Sequence, residues 1–467
     1  MNASIESKDL IAESRHLWQS YFQGEQPDKP PMTITHGDGL YIYDAAGNEY
    51  LDTFASLLTT LCGHGRAEVI DAVNEQMRKL AYFPGGQDVL IEPAVRLAAK
   101  LAEIAPGRLS VSFLVNDGSE ANEAAIKLAR SFHWAKGEKN RYKVIFRRGS
   151  YHGATLGALS ATGLAGTREP YEPLLPGFSH AMPANCYHCE LGLDPETCAL
   201  ACFKNLASVL EWEGPKSVAA VIMDPIPGSN TGFPLPPDGY LQGVRDLCDR
   251  HGVLLIFDEI QTGFGRTGRM FACENWGVTP DIMTVAKGFS GGYLPIGAAI
   301  ATEQIAEAIR KAGTGFRHIH TFAGHAAACA AALAHIRIIQ NENLVQRAAE
   351  LGDYFRKRLE ELYRYPLVGN VRGLGTLWAV ELVANRGTRE PLNPPGKVGS
   401  FVADFCRKAG MILRNNGDVL VLAPALVMTF AQADRMLNLL HDAIGAAMSH
   451  CEQENDVFQW NHELSVT

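Results

Sequence analysis

Short apolar, β-branched runs recur between Leu101 and Thr302 with no polar alternation inside them: VSFLV, KVIF, VAAVIM, VLLIF, DIMTVA and GAAIA. A strand with one wet face alternates apolar and polar positions, whereas a strand covered on both faces of a parallel sheet does not. Between several of these runs the spacing turns helical. Ala125, Leu128, Ala129 and Phe132 fall on one face, as do Leu241, Val244, Leu247 and Cys248. Strand-helix alternation of this kind predicts an α/β fold, with a mostly parallel central sheet and helices on both faces.

The flanks have a different texture. The N-terminal segment predicts a helix up to about Gln23, a proline-rich linker (QPDKPP), and then a hairpin in GLYIYDAAGNEYLD turning at Ala46-Gly47-Asn48. AAACAAALAHI is a short alanine-rich helix suited to close packing. Beyond Asn341, Leu344, Ala348, Leu351, Phe355 and Leu359 form a helical stripe, LGTLWAVELV reads as one strand, and a last helix spans roughly 431–448. The expected division is 1–65 and 336–467 for a smaller α+β domain built from both termini, and 66–335 for the large α/β domain. The polar tail CEQENDVFQWNHELSVT is expected to fray or to pack on a neighbouring subunit.

Composition narrows the class. A chain of 467 residues exceeds what one hydrophobic core usually supports, in keeping with two domains. A net charge of −9 argues against nucleic acid as the main partner. No apolar run reaches the ~18 residues of a membrane helix, and the start, MNASIESKDLIAESRHLW, lacks the pattern of a secretory signal. A cytoplasmic location is therefore expected, with the ten cysteines reduced.

Two segments carry the chemistry. VLLIFDEIQTGFGRTG closes a buried strand on Asp258 and Glu259, and PDIMTVAKGFSGGYLPIG closes another on Lys287. Ligands of open α/β sheets sit beyond the carboxyl ends of the strands. A partly buried lysine there is a candidate Schiff-base former. Pyridoxal phosphate also needs an acid at its ring nitrogen. A carboxylate about 4 Å away gains roughly 4 kcal/mol at an effective dielectric near 20, or about three pKa units, and Asp258 suits that role. An isolated strand-end Asp is more often a cap, and an isolated Lys more often solvated; the pair on one sheet is what carries the reading.

The stretch Leu255–Gly292, with its Asp-Glu-Ile and Ala-Lys-Gly steps, resembles the signature of class III aminotransferases, which are fold-type I pyridoxal-phosphate enzymes. The likeness runs from the hairpin near Tyr41 to MILRNNGDVLVLAPAL, and it implies roles position by position. Lys287 would bind the cofactor and Asp258 its ring nitrogen. Asn116-Asp117-Gly118-Ser119-Glu120-Ala121 resembles the phosphate cup, where Gly118 and Ser119 open a helix whose free N–H groups and dipole favour an anion. Tyr151 would stack on the ring with His152 close by, and Ile260 would pack against the opposite face. Thr321 matches a threonine that reaches the phosphate of the partner subunit, which implies a homodimer with shared sites. Arg414 resembles the arginine that grips the acceptor's carboxylate in a bidentate way. The implied reaction is ping-pong transfer from a primary amine to a 2-oxo acid, preferably pyruvate, with Lys287 carrying the proton. Decarboxylases and aminomutases of the same fold share Lys287, Asp258 and the cup, and remain the alternative. A non-catalytic scaffold is disfavoured by the presence of all three.

Some positions depart from the pattern or add to it. Asp224 stands where the family usually carries Glu before Pro225. Leu58 occupies a position where many ω-amine transaminases carry tryptophan, and Tyr82, Phe83 and Pro84-Gly85-Gly86 lie where others line the donor side. Small groups at Leu58 and Pro84–Gly86 predict a wide donor pocket. Cys186, Cys189, Cys198 and Cys202 have the spacing C-x2-C-x8-C-x3-C, which suits either a tetrahedral zinc site or, as favoured here, buried thiols or redox pairs.

Overall fold

The computed structural model describes residues 10, 13–20, 31–86, 88–313 and 315–453. The expected N-terminal helix and linker fall largely outside these residues, and the tail beyond residue 453 falls wholly outside them. Ser14–His16 forms a single 3-10 turn.

The strands, in chain order, are β1 Ile34–Asp38, β2 Tyr41–Asp44, β3 Glu49–Asp52, β4 Leu109–Val115 and β5 Lys143–Arg147. Then come β6 Phe178–Ala181, β7 Val218–Met223, β8 Leu254–Asp258, β9 Ile282–Val285 and β10 Gly297–Thr302. β11 Val368–Leu374, β12 Leu377–Leu382, β13 Met411–Ile412, β14 Arg414–Asn416 and β15 Val419–Leu422 complete the set. The central sheet has seven strands in the order β4-β10-β9-β8-β7-β5-β6. β10 runs antiparallel to both of its neighbours, and the pairings from β9 through β6 are parallel.

Burial on both faces explains the missing alternation. In β7, Val221 and Met223 enter one apolar cluster while Ala220 and Ile222 enter another on the opposite face. Leu255 and Phe257 of β8 divide from Leu254 and Ile256 in the same way. With side chains pointing alternately up and down, both sets of positions must be apolar. Helix Gly118–Ala135 covers one face, its Ala121, Ala125, Ala129 and Phe132 buried. The alanine-rich helix Ala326–Asn341 is buried on the other, where small side chains allow close approach.

The two ends of the chain share a further apolar cluster. Leu40 and Leu51 join Leu351, Phe355, Val380, Met411 and Leu440, and β3 pairs in parallel with β13 through Leu51 and Met411. The segment read as one strand, LGTLWAVELV, is a strand from Leu377 to Leu382, but its first residues are the turn of a hairpin with β11. β11 ends at Leu374, Gly375 takes φ +60°, and β12 begins at Leu377. A left-handed residue breaks a strand, and glycine meets that demand without a Cβ penalty. β6 was not legible because FSHA is a short, half-polar edge segment.

Candidate active site

β8 ends on Asp258, and β9 ends two residues before Lys287. The strands are parallel neighbours with Asp258 opposite Thr284, so both ionisable groups emerge at the same edge of the sheet. They line one cavity of about 460 Å3, within the range of small-molecule sites. Gly118, Ser119, Tyr151, His152 and Ile260 line it too.

Lys287 is half-buried and takes φ +47°. A left-handed conformation costs a non-glycine residue roughly 1–2 kcal/mol, so the surroundings must enforce it. Burial pulls its pKa down to about 8; Asp258 opposes that shift, while the Arg414 and Arg266 charges add to it. A neutral amine is thereby brought within reach near neutral pH.

Asp258 is held at both oxygens. Oδ2 accepts from Asn122 Nδ2 and from His152 Nδ1, each at 2.8 Å, and Oδ1 accepts from the Ile260 amide at 3.0 Å. A carboxylate can only accept, so His152 donates from Nδ1. Its buried Nε2 has no hydrogen-bond partner among the described residues. Asn122 is itself fixed, since it accepts from Thr284 Oγ1 at 2.8 Å and donates to the His152 carbonyl at 2.6 Å. Asn122 and Thr284 were not read from the sequence. The available signal was a polar residue on an otherwise apolar helix face, because a buried amide has to find partners.

The helix start at Gly118 is built for close approach. Asp117 caps it by accepting from the Glu120 amide at 2.8 Å. A Cβ on Gly118 would sit 2.9 Å from Ile260 Cδ1, so glycine alone keeps the floor open there. Gly153, with φ +143°, lets the Tyr151-His152 segment pass over Ser119, whose Oγ accepts from the Ala154 amide at 3.1 Å. On the cavity wall, Asp224 forms a buried ion pair of 2.9 Å with Arg147 and accepts from the Gly228 amide at 3.2 Å. Glu259 does not face the cavity. It accepts the Cys273 and Ala272 amides at 2.8 and 3.0 Å and the Thr262 hydroxyl, which makes it an anchor for the following loop.

Other sequence candidates are not brought to this cavity. Leu58 is 1 % exposed and packs with Phe54, Ile226 and Phe233, whereas its neighbour Leu57 lines the cavity. The physical reason is a left-handed turn: Ala55, Ser56, Leu57 and Leu58 have φ of 42°, 45°, 65° and 66°. Tyr82, Phe83 and Pro84–Gly86 lie outside the lining. Tyr82, half-buried, instead donates to the carbonyl of the exposed Thr321 at 2.5 Å. Arg414 stacks over the Phe54 ring at 5.2 Å, close enough for its charge to act on Lys287 but not lining the cavity. Cys186, Cys189, Cys198 and Cys202 are half-buried free thiols. Among the described residues no group of three or more potential ligands is disposed to hold a metal ion.

The class-III aminotransferase family pattern matches residues 22–444. This chain belongs to the class-III aminotransferases. It is 36 % identical, over 94 % of its length and 82 % of the relative's, to an adenosylmethionine-8-amino-7-oxononanoate aminotransferase of Nitratidesulfovibrio vulgaris. It is 34 % identical to a putrescine–pyruvate aminotransferase of Pseudomonas aeruginosa, over 94 % of this chain and 96 % of the other. Among solved structures, an (S)-enantioselective ω-transaminase from Thermomicrobium roseum superposes with a TM-score of 0.90 at 36 % identity, covering 96 % of this chain and 99 % of that one. The fold is that of fold-type I enzymes, and class-III aminotransferases depend on pyridoxal phosphate. The residues present fit that cofactor. An amine of lowered pKa, a fixed carboxylate, a capped helix start and a buried imidazole nitrogen with no partner among the described residues converge on one cavity.

Proposed function

We propose that the protein moves an amino group from a primary amine or ω-amino compound to a 2-oxo acid, pyruvate being the preferred acceptor, in two half-reactions at one site. The reading rests on the placement of Lys287 and Asp258 on adjacent strand ends around a single cavity. Lys287 would hold pyridoxal phosphate through Nζ, Asp258 would keep its ring nitrogen protonated, and Gly118 and Ser119 would offer N–H groups to its phosphate. When bound, the cofactor supplies the electron sink that lets a carbon–hydrogen bond beside the amine ionise.

Tyr151 and Ile260 would close on the two faces of the ring. Lys287 Nζ would take the proton from the substrate carbon and return it, which its pKa of about 8 suits. Arg414 would reach the carboxylate of the 2-oxo acid. We further propose a homodimer in which Thr321, exposed beside Tyr82 and away from its own cavity, serves the partner's site. The division at residues 65 and 335 into a large domain and a smaller one from both termini belongs to the same proposal, as does a cytoplasmic location.

A panel of amines offered with pyruvate, read out as alanine, tests this function. Stoichiometric aldehyde or ketone without carbon dioxide in the donor half-reaction supports transfer over decarboxylation. If no amine yields alanine while 2-oxoglutarate yields glutamate, the acceptor is corrected; if neither acceptor is aminated, the reading fails.

A further inference from the structure

We propose that Asp52 is a positioning residue for the substrate pocket: its carboxylate holds Ala55–Leu58 in the left-handed turn that directs Leu57, and not Leu58, to the cavity. The inference rests on the proposed transfer reaction, because it concerns how the amine is selected.

Asp52 is 5 % exposed, and it aims both oxygens into the turn. Oδ1 accepts from the Phe54 amide at 3.0 Å, and Oδ2 accepts from the Ser56 amide at 2.5 Å and from Ser56 Oγ at 2.8 Å. Ser56 Oγ also meets His64 Nε2 at 3.2 Å. Four successive non-glycine residues with positive φ form the turn, an arrangement that L-residues do not adopt unaided. The turn's own bonds complete the frame: Leu58 to the Phe54 carbonyl and Thr59 to the Ala55 carbonyl, both 2.8 Å. A carboxylate gathering three donors in the first residues of the turn offsets the strain, since hydrogen bonds to a charged acceptor are stronger than neutral ones.

The carboxylate is braced from behind. The fully buried Arg266 guanidinium lies near enough to interact with it, and donates to the Ala423 and Pro424 carbonyls at 2.9 and 2.6 Å. The Ala423 amide in turn donates to the Thr53 carbonyl at 2.8 Å. Asp52 thus joins the turn to the loop that follows Asp258 and to the strand exit after β15. Leu58 is the buried anchor of the turn and Leu57, 50 % exposed, is its working face. Released from Asp52, the turn relaxes toward right-handed geometry and the Leu57 wall moves. A displacement of about 1 Å at a substrate wall is enough for large rate changes.

The test measures kcat/KM for a bulky aryl-alkyl amine and for a short alkyl amine in the cofactor-loaded enzyme. L57A reports what loss of the wall does to their ratio. Asp52→Asn is expected to shift that ratio about tenfold in the same direction, with cofactor absorbance retained, and adding Ser56→Gly to it is expected to bring the ratio back, because glycine accepts positive φ freely. Should Asp52→Asn not fold, Ser56→Ala, an exposed position, is expected to shift the ratio the same way by a smaller factor. An unchanged ratio in whichever variant loads cofactor, or an equal loss for both amines, overturns the proposal. A wild-type enzyme that loads cofactor but transfers from neither amine nor any other would instead sink the transfer reading.

Discussion

Asn122, in the second turn of the helix that opens at Gly118, donates a 2.8 Å hydrogen bond to Asp258 at the end of β8, 136 residues further along the chain. The bond ties the helix that begins at the proposed phosphate cup to the carboxylate proposed for the ring nitrogen. Because Thr284 of β9 holds the other end of the same amide, one side chain sets the relative positions of a helix and two strands.

Asn122→Ala is therefore expected to weaken cofactor binding by about 10–100-fold, the worth of one hydrogen bond to a charged group together with the loss of alignment. Titration of the apoenzyme with pyridoxal phosphate measures this. Circular dichroism serves as the control for folding. Unaltered affinity would remove Asn122 from the site.

The pKa of Lys287 makes a signed prediction. Below pH 8 the amine is protonated and cannot attack an aldehyde, and above that pH it is neutral. The rate at which apoenzyme captures pyridoxal phosphate should rise through about pH 8 and then level, instead of climbing toward the ~10.4 of an ordinary lysine. Stopped-flow absorbance across this range gives the midpoint. The same shift acts on stability: between about 8 and the unfolded value the unfolded chain binds more protons, so this lysine's penalty on the apo fold shrinks as pH rises.

The ion pair between Arg147 and Asp224 is buried on both sides, at 1 % and 9 % side-chain exposure. Removing one partner strands a charge, so Asp224→Ala is expected to cost about 3–5 kcal/mol. The double variant R147M/D224L should recover most of that loss. Urea unfolding of the three proteins decides whether the pair behaves in this way, and a single variant within about 1 kcal/mol of wild type would contradict it.

Thr321 provides a test of the shared site. If it serves the partner, mixing the inactive K287A protein with a T321A protein creates dimers containing one intact site, and activity at limiting cofactor should rise on subunit exchange. If Thr321 serves its own subunit, no mixed dimer contains an intact site and the mixture gains nothing.

The order of apolar runs between Leu101 and Thr302 was enough to place six of the seven central strands, because burial on both faces leaves a pattern that needs no partner information. The ends of β8 and β9 were legible for the same reason, and with them Asp258 and Lys287. The hairpin at Gly375 was missed because β11, VGNVRGL, is polar at Asn370 and Arg372 and rich in glycine, so only the apolar β12 showed as a strand. Asn122 and Thr284 were missed because their meaning lies in a contact across the fold and not in local spacing.

By itself, the sequence determined which residue types stand at the carboxyl edge of the sheet, since strand periodicity and helix starts are local properties of the backbone. Only the tertiary structure decided which of them face a common cavity. Leu57 lines it and Leu58 does not, because a buried carboxylate from the preceding strand forces four residues into a left-handed turn. Side-chain direction in such a turn follows from a distant balance of hydrogen bonds against strain, and apolar spacing carries no trace of that balance.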